Sequence, residues 1–208
     1  MNGKIIFATS NEGKMKEIRM LLADLGMEIL SMKEAGITAD IVENGATFEE
    51  NAVIKARAVA ELTDAIVLAD DSGLEVDYMD KQPGVYSARF LGEDTPYSVK
   101  NRYIIDRLAE AEEEERSARF VCVIAAVCPD GEILTTRAAI EGRIAYEEEG
   151  EGGFGYDPIL YLPEYQTTTA GLSIEQKNKI SHRGKALEKM KEKLRHKYEG
   201  QDANTDNK

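Results

Sequence analysis

The spacing of apolar residues predicts that strands and helices alternate in the first third of the chain. Residues 4–9 and 65–70 are short apolar runs, which are typical of buried strands. In residues 14–25 apolar side chains recur every three or four positions, which predicts a helix that Gly26 ends. Residues 48–63 have the same helical period.

Two of the predicted helices have local start signals. Thr47 and Glu50 have the spacing of a capping box, which places a helix start at residue 48. Thr95-Pro96 opens a third helix, which gives way to the acidic run at residues 110–116. We expect that acidic run to face solvent.

The second half of the chain predicts a hairpin followed by helices. Apolar segments 118–128 and 132–144 flank a Pro-Asp-Gly turn, which is the pattern of a β-hairpin. Residues 173–198 are helical in pattern, with a break expected near Ser181. Early strand–helix alternation and a later hairpin indicate a mixed-sheet α/β fold. We expect two lobes with a cleft between them.

The polar C-terminal residues are not part of this predicted domain. Residues 1–198 are predicted to form a single domain of two lobes, and residues 199–208 a disordered C-terminal tail. No apolar run approaches the length of a membrane span, and the N-terminus lacks a signal-peptide pattern. A cytoplasmic location is therefore expected.

Charge limits the possible partners. The 208 residues include 39 acidic and 26 basic side chains, for a net charge of −13. So acidic a surface repels phosphate backbones, which argues against nucleic acid as a partner. A small anionic substrate remains possible where cations gather locally.

The two cysteines are expected to be core residues in a reducing compartment. Cys122 and Cys128 lie in one apolar run. Six strand steps would separate them by about 20 Å, which is too far for a disulfide.

The segment TSNEGK at residues 9–14 is a candidate phosphate site. A strand, a small polar loop, a lysine and a helix follow one another, and a helix N-terminus can hold phosphate with its free amides. The segment is not a Walker A loop, because Met15 stands where a hydroxyl is needed. An ordinary strand–helix turn capped by Ser10 or Asn11 is the alternative.

Adjacent acids follow the apolar run at residues 65–70. Asp70, Asp71, Ser72 and Gly73 are expected at the strand tip, where paired carboxylates hold a hard cation such as Mg²⁺ against substrate phosphates. The alternative is an Asp-Ser-Gly turn in which Asp70 caps local backbone.

Two further segments could contact a ligand. In GGFGYDP, at residues 152–158, glycines allow close backbone approach and Phe154 or Tyr156 offers a stacking face. The alternative is a flexible loop with one aromatic in the core. Residues 177–187 gather a basic cluster in an acidic protein, although cations at a helix end also complement the helix dipole. Together these parts suit a metal-dependent nucleotide hydrolase.

Six ordered segments resemble the inosine triphosphate pyrophosphatase family. They are TSNEGK (9–14), ENGATFEENAVIKAR (43–57), ADDSGLEV (69–76), PGVYSAR (83–89), GGFGYDPI (152–159) and ISHRGKAL (180–187). The resemblance implies hydrolysis of non-standard purine nucleoside triphosphates, namely ITP, dITP and XTP, to the monophosphate and pyrophosphate. It also implies Mg²⁺, a homodimer, and an elongated mixed β-sheet flanked by helices with a central active-site cleft.

The same resemblance assigns site residues. It implies a metal site at Glu43 and Asp71, with Asp71 also the proton acceptor. We expect Asp70 to support the geometry of Asp71. Substrate-binding roles fall on Thr9, Ser10, Asn11, Glu12, Gly13, Lys14, Lys55, Ser72, Phe154, Gly155, Tyr156, Asp157, Lys177, His182 and Arg183. We expect Arg183, His182 or a loop amide to donate to the purine 6-oxygen.

Two other functions are weighed against this one. A phosphatase with an aspartyl nucleophile, as in haloacid-dehalogenase-like enzymes, needs Asp-x-Asp, whereas Asp70 and Asp71 are adjacent. A nucleotide-binding sensor without turnover gains little from two crowded carboxylates.

Overall fold

The structure is a computed structural model that describes residues 3–202, which form seven strands and five α-helices. The strands are β1 (Lys4–Phe7), β2 (Glu28–Ser31), β3 (Ile66–Val76), β4 (Ser117–Val127), β5 (Ile133–Ile144), β6 (Leu160–Leu162) and β7 (Thr167–Thr168). The helices are α1 (Glu12–Leu22), α2 (Phe48–Ala60), α3 (Tyr97–Arg107), α4 (Ile174–Ile180) and α5 (His182–Asp202).

All seven strands belong to one mixed sheet in the order β2-β1-β3-β4-β5-β6-β7. Strand β1 pairs in parallel with β2 and β3, while β6 pairs antiparallel with β5 and β7. Parallel neighbours need a crossover connection, and helices α1 and α2 lie in those connections. The predicted mixed α/β class is confirmed.

Strand β3 is longer than the sequence predicts. The prediction ends the strand at Asp70, but β3 continues without interruption through Gly73 to Val76. The acid pair therefore lies in the middle of a strand rather than at its tip. Because successive side chains of a strand point to opposite faces, Asp70 and Asp71 face away from each other.

Contacts divide the chain into two compact units. Unit 1 contains the chain up to Asp71, Cys122–Ala138 and the chain from Arg183, whereas unit 2 contains Ser72–Val121 and Ala139–His182. Each unit has its own buried apolar cluster. The expected arrangement of two lobes with a cleft between them stays a prediction.

Three predicted helix boundaries are confirmed locally. A 3₁₀ turn extends α1 to Leu25, and Gly26 ends it with a left-handed φ of 64°. Thr47 caps α2 by accepting the Glu50 N–H at 3.1 Å. The reciprocal bond of a capping box is shifted, because the Glu50 carboxylate accepts from the Ala46 N–H at 2.6 Å. Ser181 breaks the C-terminal helix with a ψ of 155°.

The acidic run and the tail differ in part from expectation. Helix α3 ends at Arg107, and Glu113–Arg116 forms a separate 3₁₀ turn. Arg116 is buried and donates to three backbone carbonyls, so the run ends in a structural cation. Helix α5 continues to Asp202, four residues into the predicted tail, and residues 203–208 lie outside the described residues. Within residues 3–202, no helix combines the length and apolarity that crossing a bilayer requires.

The cysteines lie in the core, as predicted. Cys122 and Cys128 are both buried free thiols. Burial raises the pKa of Cys122 to about 12, so its thiol stays protonated.

The Thr47 cap gives a test of the fold. We expect Thr47→Ala to lower the free energy of unfolding by about 1 kcal/mol, because the Glu50 N–H loses its acceptor. Urea unfolding measures this difference. Thr47→Ser keeps a hydroxyl and should stay within about 0.5 kcal/mol of wild type. Equal losses in both variants would show that the cap is not responsible.

Candidate active site

The loop between β1 and α1 has the geometry of a phosphate-binding helix start. Asn11 is the N-cap of α1, where its Oδ1 accepts the Lys14 N–H at 3.0 Å. The Asn11 N–H donates to Thr9 Oγ1 at 3.2 Å, which closes the turn. The remaining predicted residues of this loop are exposed beside the cap: Ser10, Glu12 and Gly13. The positive end of the helix dipole thus faces an accessible loop.

Asp70 is the centre of a buried ion-pair cluster in unit 1. Its two carboxylate oxygens accept from Lys14 Nζ at 3.1 and 3.0 Å. The Arg183 guanidinium lies 3.3 Å from the same carboxylate and donates to Glu17 at 2.7 Å. Two cations and two anions therefore balance one another, with Asp70, Glu17 and Arg183 enclosed and Lys14 partly exposed.

These cations keep Asp70 ionised. Burial by itself raises the pKa of Asp70, but Lys14, Arg183 and Lys55 together lower it further than burial raises it. The pKa therefore lies well below the usual value of 3.8. Asp70 acts here as the counter-ion of Lys14 and Arg183, and its expected support of the Asp71 geometry stays a prediction.

Asp71 belongs to a second polar cluster of unit 1. Its Oδ2 accepts from Asn51 Nδ2 at 3.1 Å, and Lys55 Nζ lies 3.6 Å from its Oδ1. Lys55 also donates to Glu43 at 2.8 Å, so one ammonium contacts both predicted metal positions. Glu43 and Asp71, far apart in the sequence, are brought together by the start of α2 and the loop before it.

The surroundings of Asp71 on balance disfavour its ionised form. Burial raises its pKa most, and the carboxylates of Glu43 and Asp70 raise it too, while Lys55 and Asn51 act in the other direction. The net shift is upward, so added positive charge would stabilise this site.

The donor set fits Mg²⁺. No group of three or more His, Cys, Asp or Glu side chains suited to a metal occurs in the described part of the chain. Mg²⁺ keeps most of its waters and commonly uses one or two carboxylates together with substrate phosphates. Glu43 and Asp71 supply such a pair.

The glycine-rich loop of unit 2 presents one aromatic ring and buries the other. Phe154 is 41% exposed, and Lys177 Nζ lies 4.8 Å from its ring centroid. Tyr156 is buried, and its hydroxyl donates to the Ser87 carbonyl at 2.8 Å. One aromatic is thus in the core, as the alternative expects, and the stacking role of Phe154 stays a prediction. Gly155, between the two aromatics, has a left-handed φ of 68°.

Asp157 holds this loop in shape. Its Oδ2 accepts from the Phe154 N–H at 2.7 Å and from Lys177 Nζ at 2.8 Å. Its Oδ1 accepts from Thr169 Oγ1 at 2.9 Å. A Cβ at Gly153 would lie 2.2 Å from this carboxylate, so a side chain there would displace the loop. Asp157 thus restrains the backbone at Phe154 and the Lys177 ammonium beside its ring.

Two further predicted residues are His182, at the start of α5, and Ser72, within β3. His182 begins α5 and is buried, with its ring centroid 5.0 Å from that of Phe120. Ser72 follows Asp71 in β3 and is half-buried.

Comparison with known proteins decides the relationship. Residues 5–193 match the Ham1 family. The chain belongs to the Ham1 family. The resemblance inferred from six ordered segments is thereby confirmed.

Curated relatives match this Ham1-family chain over more than nine-tenths of its length. A protein of Desulforamulus reducens named dITP/XTP pyrophosphatase is 48% identical over 195 residues, which cover 94% of this chain and 97% of that protein. A Bacillus subtilis protein of the same name is 45% identical over 91% of this chain and 96% of its own.

Solved Ham1 structures share the fold. The Staphylococcus aureus Ham1 protein aligns with a TM-score of 0.84 at 38% identity, covering 93% of this chain and 99% of its own. A HAM1 protein from Coxiella burnetii also gives 0.84, at 40% identity, with 93% and 98% covered.

The Ham1-family chain has two buried polar residues at the site that sequence reasoning missed. Asn51 contacts Asp71, and Glu17 pairs with Arg183. Both were visible as polar residues on otherwise apolar helix faces: Asn51 precedes Ala52, and Glu17 lies beside Met15 and Ile18. A polar residue at a core position is the signal that marks them.

The position of Arg183 does not favour the expected contact with a purine base. Its side chain is 3% exposed, and its guanidinium contacts Glu17 and Asp70. A group enclosed in this way is better suited to hold Asp70, and through it Lys14, in place.

Asp70→Asn tests this cluster. At pH 7 we expect the variant to lose about 3–5 kcal/mol of unfolding free energy, because Arg183 and Lys14 lose a buried counter-charge. The folded state lowers the pKa of Asp70, so its contribution is present above pH about 4 and is lost as the pH falls through the folded-state pKa. The difference from wild type should therefore shrink below pH about 4.

Urea unfolding between pH 7 and pH 3.5 measures this trend. Asp106→Asn, at an exposed carboxylate paired with Arg102, is the matched control and should change stability by at most about 0.5 kcal/mol. A difference for Asp70→Asn that stays constant down to the lowest pH would contradict the assigned ion pairs.

Proposed function

We propose that this protein hydrolyses non-standard purine nucleoside triphosphates, such as ITP, dITP and XTP, to the nucleoside monophosphate and pyrophosphate. The observation that carries the proposal is the match over more than nine-tenths of the chain to relatives named dITP/XTP pyrophosphatase. The polar clusters of unit 1 and the aromatic loop of unit 2 supply the groups that such a reaction needs.

The side chains of unit 1 suit the triphosphate. Lys14 and the N-terminus of α1 would bind phosphate oxygens, with Asp70 holding the Lys14 ammonium in position. Glu43 and Asp71 would hold Mg²⁺, which when bound neutralises the charge of the departing pyrophosphate. Asp71 would orient or deprotonate the water that attacks the α-phosphorus.

The side chains of unit 2 suit the nucleoside. The exposed Phe154 ring offers a stacking face, steadied by Lys177 and Asp157. Hypoxanthine and xanthine carry an acceptor oxygen at the purine 6-position, which His182 or a loop amide would meet with a donor. Adenine carries an amino donor there, so each unmet protein donor would cost about 1–3 kcal/mol.

Three finer properties belong to the same proposal. We infer Mg²⁺ as the cofactor, a homodimer as the assembly and the cytoplasm as the compartment. The Glu43–Asp71 pair supports the first of these. The family resemblance supports the second, and two buried thiols suited to a reducing compartment support the third.

Product analysis tests the function directly. Incubation with ITP and Mg²⁺, followed by chromatography, should give IMP and pyrophosphate in equal amounts. Orthophosphate as the first product would favour a phosphatase instead, and unchanged ITP would favour a binding protein.

Asp71→Asn tests the catalytic carboxylate. We expect kcat with saturating Mg²⁺ to fall at least about 100-fold, because an amide cannot accept the proton of the attacking water. Steady-state release of pyrophosphate measures kcat. Asp106→Asn, an exposed carboxylate, should keep the wild-type value. If Asp71→Asn remains within a few-fold of wild type, the assigned role is wrong.

Arg183→Ala tests base selection. Because the guanidinium is enclosed by Glu17 and Asp70, we expect kcat/KM to fall for ITP and ATP alike. The ratio of the two values should then stay within about threefold of wild type. A ratio that collapses toward unity would restore Arg183 to direct contact with the base.

A further inference from the structure

Asn51 links the two parts of unit 1 that carry the predicted metal carboxylates. Its side chain is enclosed, with the residue only 1% exposed, near the start of α2. Its Oδ1 accepts the backbone N–H of Gly45 at 2.8 Å, and its Nδ2 donates to Asp71 Oδ2 at 3.1 Å. Glu43 lies two residues before Gly45 in the same loop.

The chemistry of the partners fixes the orientation of this amide. The Gly45 N–H can only donate, so the oxygen of Asn51 must face it. The NH₂ group is then turned toward Asp71, where it can only donate. A reversed amide would place donor against donor, and an ionised carboxylate would face an oxygen.

The space around Gly45 supports the same link. A Cβ at Gly45 would lie 2.7 Å from Asn51 Oδ1 and 3.0 Å from the Asn51 backbone nitrogen. Only a glycine lets the loop approach this closely. The loop is thus built to receive the amide of Asn51.

Lys55 works from the same helix face. It lies four residues after Asn51, one helical turn on, and its Nζ contacts Glu43 and Asp71. One side chain therefore ties the loop backbone to Asp71, and the next bridges the two carboxylates themselves.

We propose that Asn51 is a positioning residue that sets the separation of Glu43 and Asp71 and aims the Asp71 carboxylate for the reaction. This inference rests on the proposed function, since it takes Asp71 as the reacting carboxylate. Loss of Asn51 should lower kcat while leaving the phosphate-binding loop at residues 9–14 intact.

Two substitutions separate the two hydrogen bonds. Asn51→Leu has a similar size and removes both. Asn51→Asp keeps an acceptor for the Gly45 N–H but replaces the donor to Asp71 with an acceptor. Glu49→Gln is the matched control on the same helix, where Glu49 contacts only Thr135 among the hydrogen bonds described for its side chain.

We expect kcat for ITP to fall about 10- to 100-fold in both Asn51 variants, with KM within about threefold of wild type. Exchange of the Gly45 amide, followed by NMR, should be at least about 10-fold faster in Asn51→Leu and near wild type in Asn51→Asp. Mn²⁺ binding to nucleotide-free protein, followed by electron paramagnetic resonance, should weaken about 10-fold in Asn51→Leu. Glu49→Gln should match wild type throughout.

Either of two results would overturn the proposal: a kcat of Asn51→Leu within about threefold of wild type, or unchanged exchange at Gly45. If Asn51→Leu does not fold, Gly45→Ala gives the same test from the loop side, because its methyl group would displace the amide. Wild-type protein that releases no pyrophosphate from ITP would instead refute the proposed function. The amide-exchange and Mn²⁺-binding measurements would still test whether Asn51 holds the Gly45 loop and Asp71 in place.

Discussion

The site depends on the pleat of one strand. Asp70 and Asp71 are consecutive in β3, so their side chains leave opposite faces of the sheet. Asp70 is met by cations from α1 and α5, whereas Asp71 is met by polar groups from α2. Their hydrogen-bonded partners therefore differ, although the Lys55 ammonium acts electrostatically on both carboxylates.

This separation gives the two acids opposite electrostatic characters. The cations around Asp70 lower its pKa, while burial and two neighbouring carboxylates raise the pKa of Asp71. Asp70 is thus a permanent counter-ion, and Asp71 carries a charge that its surroundings oppose. A carboxylate whose negative charge is disfavoured by its surroundings is suited to hold a cation or take a proton. Adjacent residues of one type can in this way do different work.

The aromatic loop of unit 2 follows the same principle of separate environments. Tyr156 is fixed in the core by its hydrogen bond to Ser87, and this anchor leaves Phe154 exposed beside Lys177. Asp157 is enclosed by the donors that shape the loop. Because these hydrogen bonds restrain the loop backbone, less conformational entropy should be lost when a base stacks on Phe154.

Local patterns in the sequence were sufficient for the elements whose signals are local. The cap at Thr47, the left-handed Gly26 and the break at Ser181 depend on neighbouring residues only, and each was predicted from them. The class of sheet and the family followed from the order of strands, helices and six short segments.

The tertiary structure alone decided which groups meet. The sequence predicts that β3 ends at Asp70, because two charges and a glycine usually stop a strand. In the structure β3 continues, since cations from α1 and α5 neutralise Asp70. The enclosure of Arg183 and the link from Asn51 to Gly45 and Asp71 depend on contacts between segments far apart in the chain, or on the depth of burial. Local spacing in the sequence predicts neither feature, because the packing of the elements determines which side chains come into contact.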